Sequence, residues 1–467
     1  MKMSLDKIFF CTGARNHDIL KVFDKHDVKF EYDERMASFK ALGLSKVSHL
    51  PVAICTTSGT AVAQCVPAML EAFYSELPLV LISGDRPKKL HGTGSPQTID
   101  HEALTRSCRK AFIEVDLVDL PELDLRDVEF PVHVNVLVDD TALHEREVIK
   151  HQDLSAFGEF VSKIKKPLFL FSHENKSMRP FIEKFRELKL TYYAETLSGG
   201  HDLSDLKTER KVTELFNSGY FDSVIRIGHT PLSKVWRLLE KGPLPVFHFD
   251  SRNLPGLSYG GVLPLSSDDL LHSRVFWEHL SKLSPYPIAD ETIWKLNELY
   301  YKYPESEITY FKVLNERLDE EDLVYLGNSL VIRFFELAQS RNLKTYGNRG
   351  VNGIDGQLAS AIGLAMGTRK NVYCFLGDVT TFYDLSSLRE IPSNLFLIIM
   401  NNKGGRIFDM LKLDKRIVLE HENDFGKICG ALSLSYSNEM KEFGKVQVLE
   451  LFPDQVQTDH FMREWNK

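Results

Sequence analysis

The sequence predicts an α/β protein of three doubly wound domains with mainly parallel sheets. Three observations point that way. Apolar runs of strand length alternate with helix-period segments along all 467 residues. Most of these runs alternate poorly between apolar and polar residues, as strands covered on both faces do. A chain this long also exceeds what one core fills, so two to four domains are expected. The composition, 43% hydrophobic and 26% charged, is that of an ordinary globular protein.

In chain order, strands are predicted at KIFFCT (7–12), PVAICTT (51–57), LPLVLISG (77–84), PVHVNVLV (131–138), KPLFLFS (166–172), DSVIRIG (222–228), LPVFHFD (244–250), DLVYLGNS (322–329), KNVYCFLGD (370–378) and LFLIIMNN (395–402). The chain turns polar and charged near residue 150, and the Pro-containing KLSPYPIADET precedes a new helical segment. Domains are therefore expected at 1–147, 148–287 and 288–467. No heptads, short repeats or low-complexity tracts interrupt this plan.

Charge and cysteines narrow the function classes. A net charge of −8 argues against general nucleic-acid binding, though not against an anion held in a locally basic pocket. No apolar run approaches a membrane span, and the start of the chain has no long apolar stretch before a small-residue cleavage site, so neither a membrane span nor a leader is expected. Cys11, Cys55, Cys65, Cys108, Cys374 and Cys429 include no Cys-x-x-Cys pair. Buried free thiols and a cytoplasmic location are the expectation.

The chemistry concentrates in NVYCFLGDVTTFYDLSSLREIPSNLFLIIMNNKGG, which reads strand, helix, strand. A right-handed crossover makes the two strands parallel and brings their carboxyl ends to one sheet edge. Asp378 lies at the first of those ends and Asn402 at the second. A carboxylate and an amide oxygen thus meet at the crevice where open α/β sheets bind ligands. Such hard oxygen donors suit Mg²⁺, with Mn²⁺ as the alternative, and a metal-bound diphosphate. Gly404 and Gly405 permit close backbone approach, which makes the Gly404 carbonyl a further candidate ligand. The plainer reading is a helix cap at Asp378 and a turn at the asparagines.

This ordered pair resembles the signature of the thiamine-diphosphate-dependent enzymes: Gly-Asp, some twenty to thirty residues, then Asn-Asn. The resemblance implies that Asp378, Asn402 and Gly404 hold Mg²⁺ on the cofactor's diphosphate. It also requires a glutamate from another domain, and YDERMASFKALGLSK offers Glu34 at the start of a helix. Together with TTSGTAVAQCVPAMLEAFYSELPLVLISGDRP, QTID, GNSLVIR, NRGVNGIDG and NNKGGRIF, these stretches are similar to the branch of the family that joins 2-oxoglutarate to isochorismate in menaquinone biosynthesis. A pyrimidine-binding domain at 1–147, a central domain at 148–287 and a diphosphate- and Mg-binding domain at 288–467 are implied.

The same resemblance assigns roles. Glu34 shares a proton with the cofactor's aminopyrimidine; read by position alone it is a first-turn helix acid. Ile354 bends the cofactor, and Thr60, Asn352, Gly353, Gly377, Val379, Thr380, Ile407 and Phe408 complete its bed. Arg15, Arg86, Lys234, Arg333 and Arg349 with Gln97 and Ser329 bind substrate, the cations facing the carboxylates of 2-oxoglutarate and isochorismate. The absence of a His-His dipeptide, which related simple decarboxylases use to release an aldehyde, agrees with carboligation. Ala14, Pro96 and Val235 depart from the usual pattern. Family members place each active site between the first domain of one subunit and the third of another, so a homodimer or homotetramer is implied. Another thiamine-diphosphate decarboxylase or carboligase, or a non-catalytic homologue, stays open at this level.

Overall fold

The computed structural model describes residues 5, 7–48, 50–138, 153–252, 254, 262–288 and 290–467. Among the described residues, seventeen strands form three sheets, and every pairing between them is parallel.

The first sheet holds β1 (Ile8–Cys11), β2 (Val28–Glu31), β3 (Val52–Thr56), β4 (Leu79–Asp85), β5 (Ala111–Asp116) and β6 (Val132–Leu137), in the order β2-β1-β3-β4-β6-β5. The central sheet holds β7 (Pro167–Phe171), β8 (Tyr192–Ala194), β9 (Ser223–Ile227), β10 (Val246–Phe249) and β11 (Val262–Leu263), in the order β11-β10-β9-β7-β8. The third holds β12 (Leu323–Leu326), β13 (Lys344–Tyr346), β14 (Val372–Gly377), β15 (Leu395–Met400), β16 (Tyr436–Ser437) and β17 (Val448–Leu451), in the order β13-β12-β14-β15-β17-β16.

All ten strands read from apolar runs are present, and the reason is burial. β3, β7, β9, β10 and β12 are buried at every residue. Each fully buried Val, Leu, Ile or Phe contributes about 1.5–3 kcal/mol, so such runs have little alternative to a covered sheet. The strands that apolar runs did not reveal are mostly at or beside sheet edges. β2, β5 and β13 keep exposed or half-exposed residues, and β8, β11, β13 and β16 have only two or three residues. The core of the central unit is aromatic: Phe157 stacks on Phe276 at 5.2 Å and meets Phe247 and Phe249 edge-on.

The expected boundary at 147/148 lies outside the described residues. The one at 287/288 falls between the helices Arg274–Leu280 and Thr292–Lys302. All six cysteines are buried and free. Among the described residues, no helix is long and apolar enough to cross a membrane.

Candidate active site

The carboxyl ends of β14 and β15 meet as the crossover argument requires, since Gly377 pairs in register with Met400. Asp378 opens the helix Asp378–Tyr383 directly after β14. Its Oδ1 accepts from Val379 N at 2.7 Å, and its Oδ2 accepts from Gly404 N at 2.9 Å. Gly404 has φ +138°, and a Cβ there would stand 2.8 Å from the Val418 carbonyl oxygen, so the position demands glycine. Asn401 is not a surface turn. Its Nδ2 donates to Glu450 Oε1 on β17 at 2.5 Å and its Oδ1 accepts from Lys403 N, tying the loop to the sheet.

Asn402 supplies the test of whether a metal fits. Its Nδ2 donates to Glu307 Oε2 at 3.0 Å, while its Oδ1 is buried without a hydrogen-bond partner. A buried amide oxygen left unmatched costs free energy unless a cation or water takes it. An orphaned hard oxygen beside the Asp378 carboxylate fits Mg²⁺.

From this corner a cavity of about 310 Å³ runs to the first sheet, with a lip from the central unit at Pro231, Trp236 and Arg237. Glu34 closes the far side. It starts the helix Glu34–Ser48 just after β2 and is buried. Tyr383 OH donates to Glu34 Oε2 at 2.9 Å, so the helix that begins at the metal corner ends on the glutamate. Burial, opposed by hydrogen bonds from the backbone and Tyr383, raises Glu34 to about 7, with Asp355 and Asp33 adding to the rise. Burial also pushes the Tyr383 phenol far up, which keeps its proton available for donation. A second bridge joins the walls: Asp355 accepts from Thr60 Oγ1 at 2.7 Å and Gln64 Nε2 at 3.1 Å.

Arg15, Glu34, Thr60, Gln97, Ser329, Arg333, Arg349, Asn352, Gly353, Ile354, Gly377, Asp378, Val379, Thr380, Asn402, Gly404, Ile407 and Phe408 all line this cavity. Gln97, Ser329 and Asn352 hold φ of +60°, +71° and +65°, a conformation unusual for non-glycine residues and typical of strained functional loops. Burial lowers Arg349 to about 9 and lowers Arg333 as well.

Two expected substrate residues lie elsewhere. Arg86 is fully buried and donates through Nη2 to Glu240 Oε1 at 2.6 Å, with its guanidinium 5.4 Å from the Trp236 ring. A buried guanidinium is held by a carboxylate, and here Glu240 of the central unit supplies it. Trp236 is the surface the cavity meets instead. Lys234 is exposed and lines an adjoining cavity of about 140 Å³, which shares Trp236, Arg237, Leu330, Arg333, Ile407 and Leu411 with the first.

Sequence reasoning missed Tyr383, Asp355, Glu307, Asn328 and His421. Asn328 braces the 348–353 loop by donating to the carbonyls of Asn348 and Gly353 and accepting from Arg349 Nη1 at 2.8 Å. His421 Nε2 lies 3.1 Å from Asp378 Oδ2. Asn328 and Asp355 sit inside quoted motifs and were legible there; Glu307 and His421 stand in no motif.

Residues 2–104 match the family model described as thiamine pyrophosphate enzyme, N-terminal TPP binding domain. Fold and site together define a thiamine-diphosphate-dependent enzyme. The chain is 30% identical over 505 residues to a 2-succinyl-5-enolpyruvyl-6-hydroxy-3-cyclohexene-1-carboxylate synthase of Bdellovibrio bacteriovorus, covering 98% of this chain and 95% of that one. Synthases of the same name from Bacillus pumilus and Akkermansia muciniphila are 29% and 27% identical, over 86% and 96% of this chain and 80% and 93% of theirs. This chain belongs to the 2-succinyl-5-enolpyruvyl-6-hydroxy-3-cyclohexene-1-carboxylate synthase family.

Proposed function

We propose that this protein decarboxylates 2-oxoglutarate and adds the remaining four-carbon unit to isochorismate by 1,4-addition, giving the product for which its relatives are named, in menaquinone biosynthesis in the cytoplasm. The observation that carries the reading is one cavity with a buried Glu34, raised to about 7, on one wall and Asp378, Asn402 and Gly404 together on the other. Thiamine diphosphate, when bound, supplies the electron sink that lets a 2-oxo acid lose carbon dioxide.

The chain's own residues do the rest. Asp378, Asn402 and Gly404 would hold Mg²⁺. Glu34, kept near neutrality by its burial, holds or gives up a proton at Oε1 while Tyr383 occupies Oε2. Arg15, Arg333 and Arg349 offer guanidinium forks to the substrate carboxylates, and Gln97 and Ser329 offer polar contacts. Ile354, Ile407 and Phe408 form apolar walls that exclude water. The wall each sheet supplies supports pyrimidine-binding, central and diphosphate-binding roles for 1–147, 148–287 and 288–467.

We also propose a homodimer or homotetramer. First-unit and third-unit walls already meet within one chain here, through Glu34–Tyr383 and Thr60–Asp355. Identical copies can exchange such a contact without changing its geometry, which is how domain exchange makes dimers.

The test is a coupled assay. Protein supplied with Mg²⁺ and thiamine diphosphate consumes 2-oxoglutarate only when isochorismate is present, and a 1:1 adduct accumulates. Free succinic semialdehyde as the main product, in either condition, would assign a simple decarboxylase; no consumption at all would leave a non-catalytic homologue.

A further inference from the structure

We propose that Glu307 is a positioning residue that sets which end of the Asn402 amide meets the metal ion. The inference rests on the metal corner described above and adds a residue which that corner does not contain.

A primary amide is ambivalent. Its oxygen accepts and its NH₂ donates, and a half-turn of the side chain exchanges the two at almost no steric cost. A cation tolerates only the oxygen. Something must therefore choose the rotamer before the metal arrives. A carboxyl oxygen turned toward the amide is suited to that choice, because it accepts and so pairs with the NH₂ end.

Glu307 stands in that relation to Asn402. Its Oε2 accepts from Asn402 Nδ2 at 3.0 Å, and the Asn402 Oδ1 is left buried and unpartnered. Both residues line the same cavity. Glu307 itself is 1% exposed and firmly held. Its backbone N donates to Thr458 Oγ1 at 2.9 Å, and Ser306 caps the helix Glu307–Asn315 by accepting from Thr309 N. On the other side of the same turn, Glu305 O accepts from Asp454 N at 2.8 Å and Glu305 N donates to Gln457 Oε1 at 3.0 Å. The start of this helix is thus gripped by the C-terminal helix Gln455–Trp465. The Glu307 Oε1 has no hydrogen-bond partner although it is buried, an expense that stability alone does not repay. Groups behind a metal ligand that fix its orientation are a general feature of metal sites, and their loss costs about 10- to 100-fold in metal affinity.

The experiment uses the full chain freed of metal, with Mg²⁺ titrated at fixed thiamine diphosphate and binding followed by calorimetry. Glu307→Gln, which keeps the shape but can present either end to Asn402, is expected to weaken Mg²⁺ binding by roughly 10- to 100-fold. The Tm of the metal-free protein should not fall. Glu307→Ala should weaken Mg²⁺ in the same direction.

The sharper arm uses Asn402→Asp, whose two oxygens are alike, so no orientation has to be set. In that background Glu307→Gln should no longer weaken Mg²⁺ binding, because no amide orientation is left for residue 307 to set. Mg²⁺ affinity within twofold of the unaltered protein in both single Glu307 variants overturns the proposal while leaving the metal corner standing. So does a weakening by Glu307→Gln in the Asn402→Asp background. Thiamine diphosphate bound equally well without Mg²⁺ overturns the corner and Glu307 together.

Discussion

The first and third sheets are built to one plan. Numbered from its own start, each has the strand order 2-1-3-4-6-5, all parallel. The loops that follow equivalent strands nevertheless do opposite things. After the second strand, the first unit enters a helix almost at once, at Glu34, whereas the third unit spends 347–356 on the loop that carries Asn352, Ile354 and Asp355. After the third strand, the first unit reaches its helix at Thr60, while the third passes from Gly377 directly into Asp378. The electrostatics diverge likewise. Glu34 is a carboxyl held near neutrality in a buried wall, with one hydroxyl donor from across the cavity. Asp378 is equally buried but accepts from two backbone N–H groups. One duplicated scaffold sets two buried carboxylates in different surroundings: Asp378 is held by backbone N–H groups of two successive loops, Glu34 by its own backbone and a phenol from the opposite wall.

The comparison breaks most completely at Glu34. Glu34→Gln should lower kcat by about 10²- to 10⁴-fold, the usual worth of a positioned acid–base group, measured in the coupled assay. It should also stabilise the cofactor-free protein at alkaline pH. Folding raises the Glu34 carboxyl from 4.5 to about 7. Its contribution to stability is therefore full below 4.5 and is lost as pH rises through 7. At pH 8 the variant should be the more stable by up to about 3 kcal/mol, read from denaturant melts. A variant that is both active and no more stable would remove Glu34 from its role.

The two walls can also be separated between chains. Glu34→Gln and Asp378→Ala proteins should each be inactive. Unfolded, mixed and refolded together, they should regain about a quarter of normal activity, since half of random dimers are mixed and each holds one intact site. No recovery would mean that each chain completes its own site.

Arg349→Ala should raise KM by roughly 10- to 100-fold with a smaller change in kcat, the loss expected when a charged hydrogen bond to a carboxylate is removed. An unchanged KM for both substrates would take Arg349 out of the cradle.

The smallest expected effect is at the link between the walls. The Tyr383 hydrogen bond favours the ionised form of Glu34, so Tyr383→Phe should move the Glu34 midpoint upward by about one pH unit. The midpoint is read in the cofactor-free protein, from the pH dependence of the stability difference from Glu34→Gln. A midpoint that stays or falls would show the contact to be incidental.

Much of this was legible in the residue order. Runs such as PLFLF and LFLIIM can only be covered strands, and Gly-Asp and Asn-Asn at the ends of two consecutive strands must converge. The half-polar edge strands β2, β5 and β13 escaped because their pattern is shared with surface loops. Arg86 and Lys234 stand off the main cavity for a different reason. Both stand in loops next to strand ends, and sequence says which loop but not which way a long side chain turns. Arg86 turned inward because Glu240, from another unit, offered a buried partner.

Hydrophobic periodicity and the Gly-Asp…Asn-Asn spacing by themselves determined the three-sheet architecture and the meeting of Asp378 with Asn402, since these depend on contacts within one βαβ unit, whereas Glu34 was singled out only by the family resemblance. Tertiary structure alone decided that Tyr383 reaches Glu34, that Asp355 clasps Thr60 and that Glu307 holds the Asn402 amide, because those partners are separated by 349, 295 and 95 residues. No local pattern encodes such pairs; they exist only once the sheets have packed and buried polar groups have had to find one another.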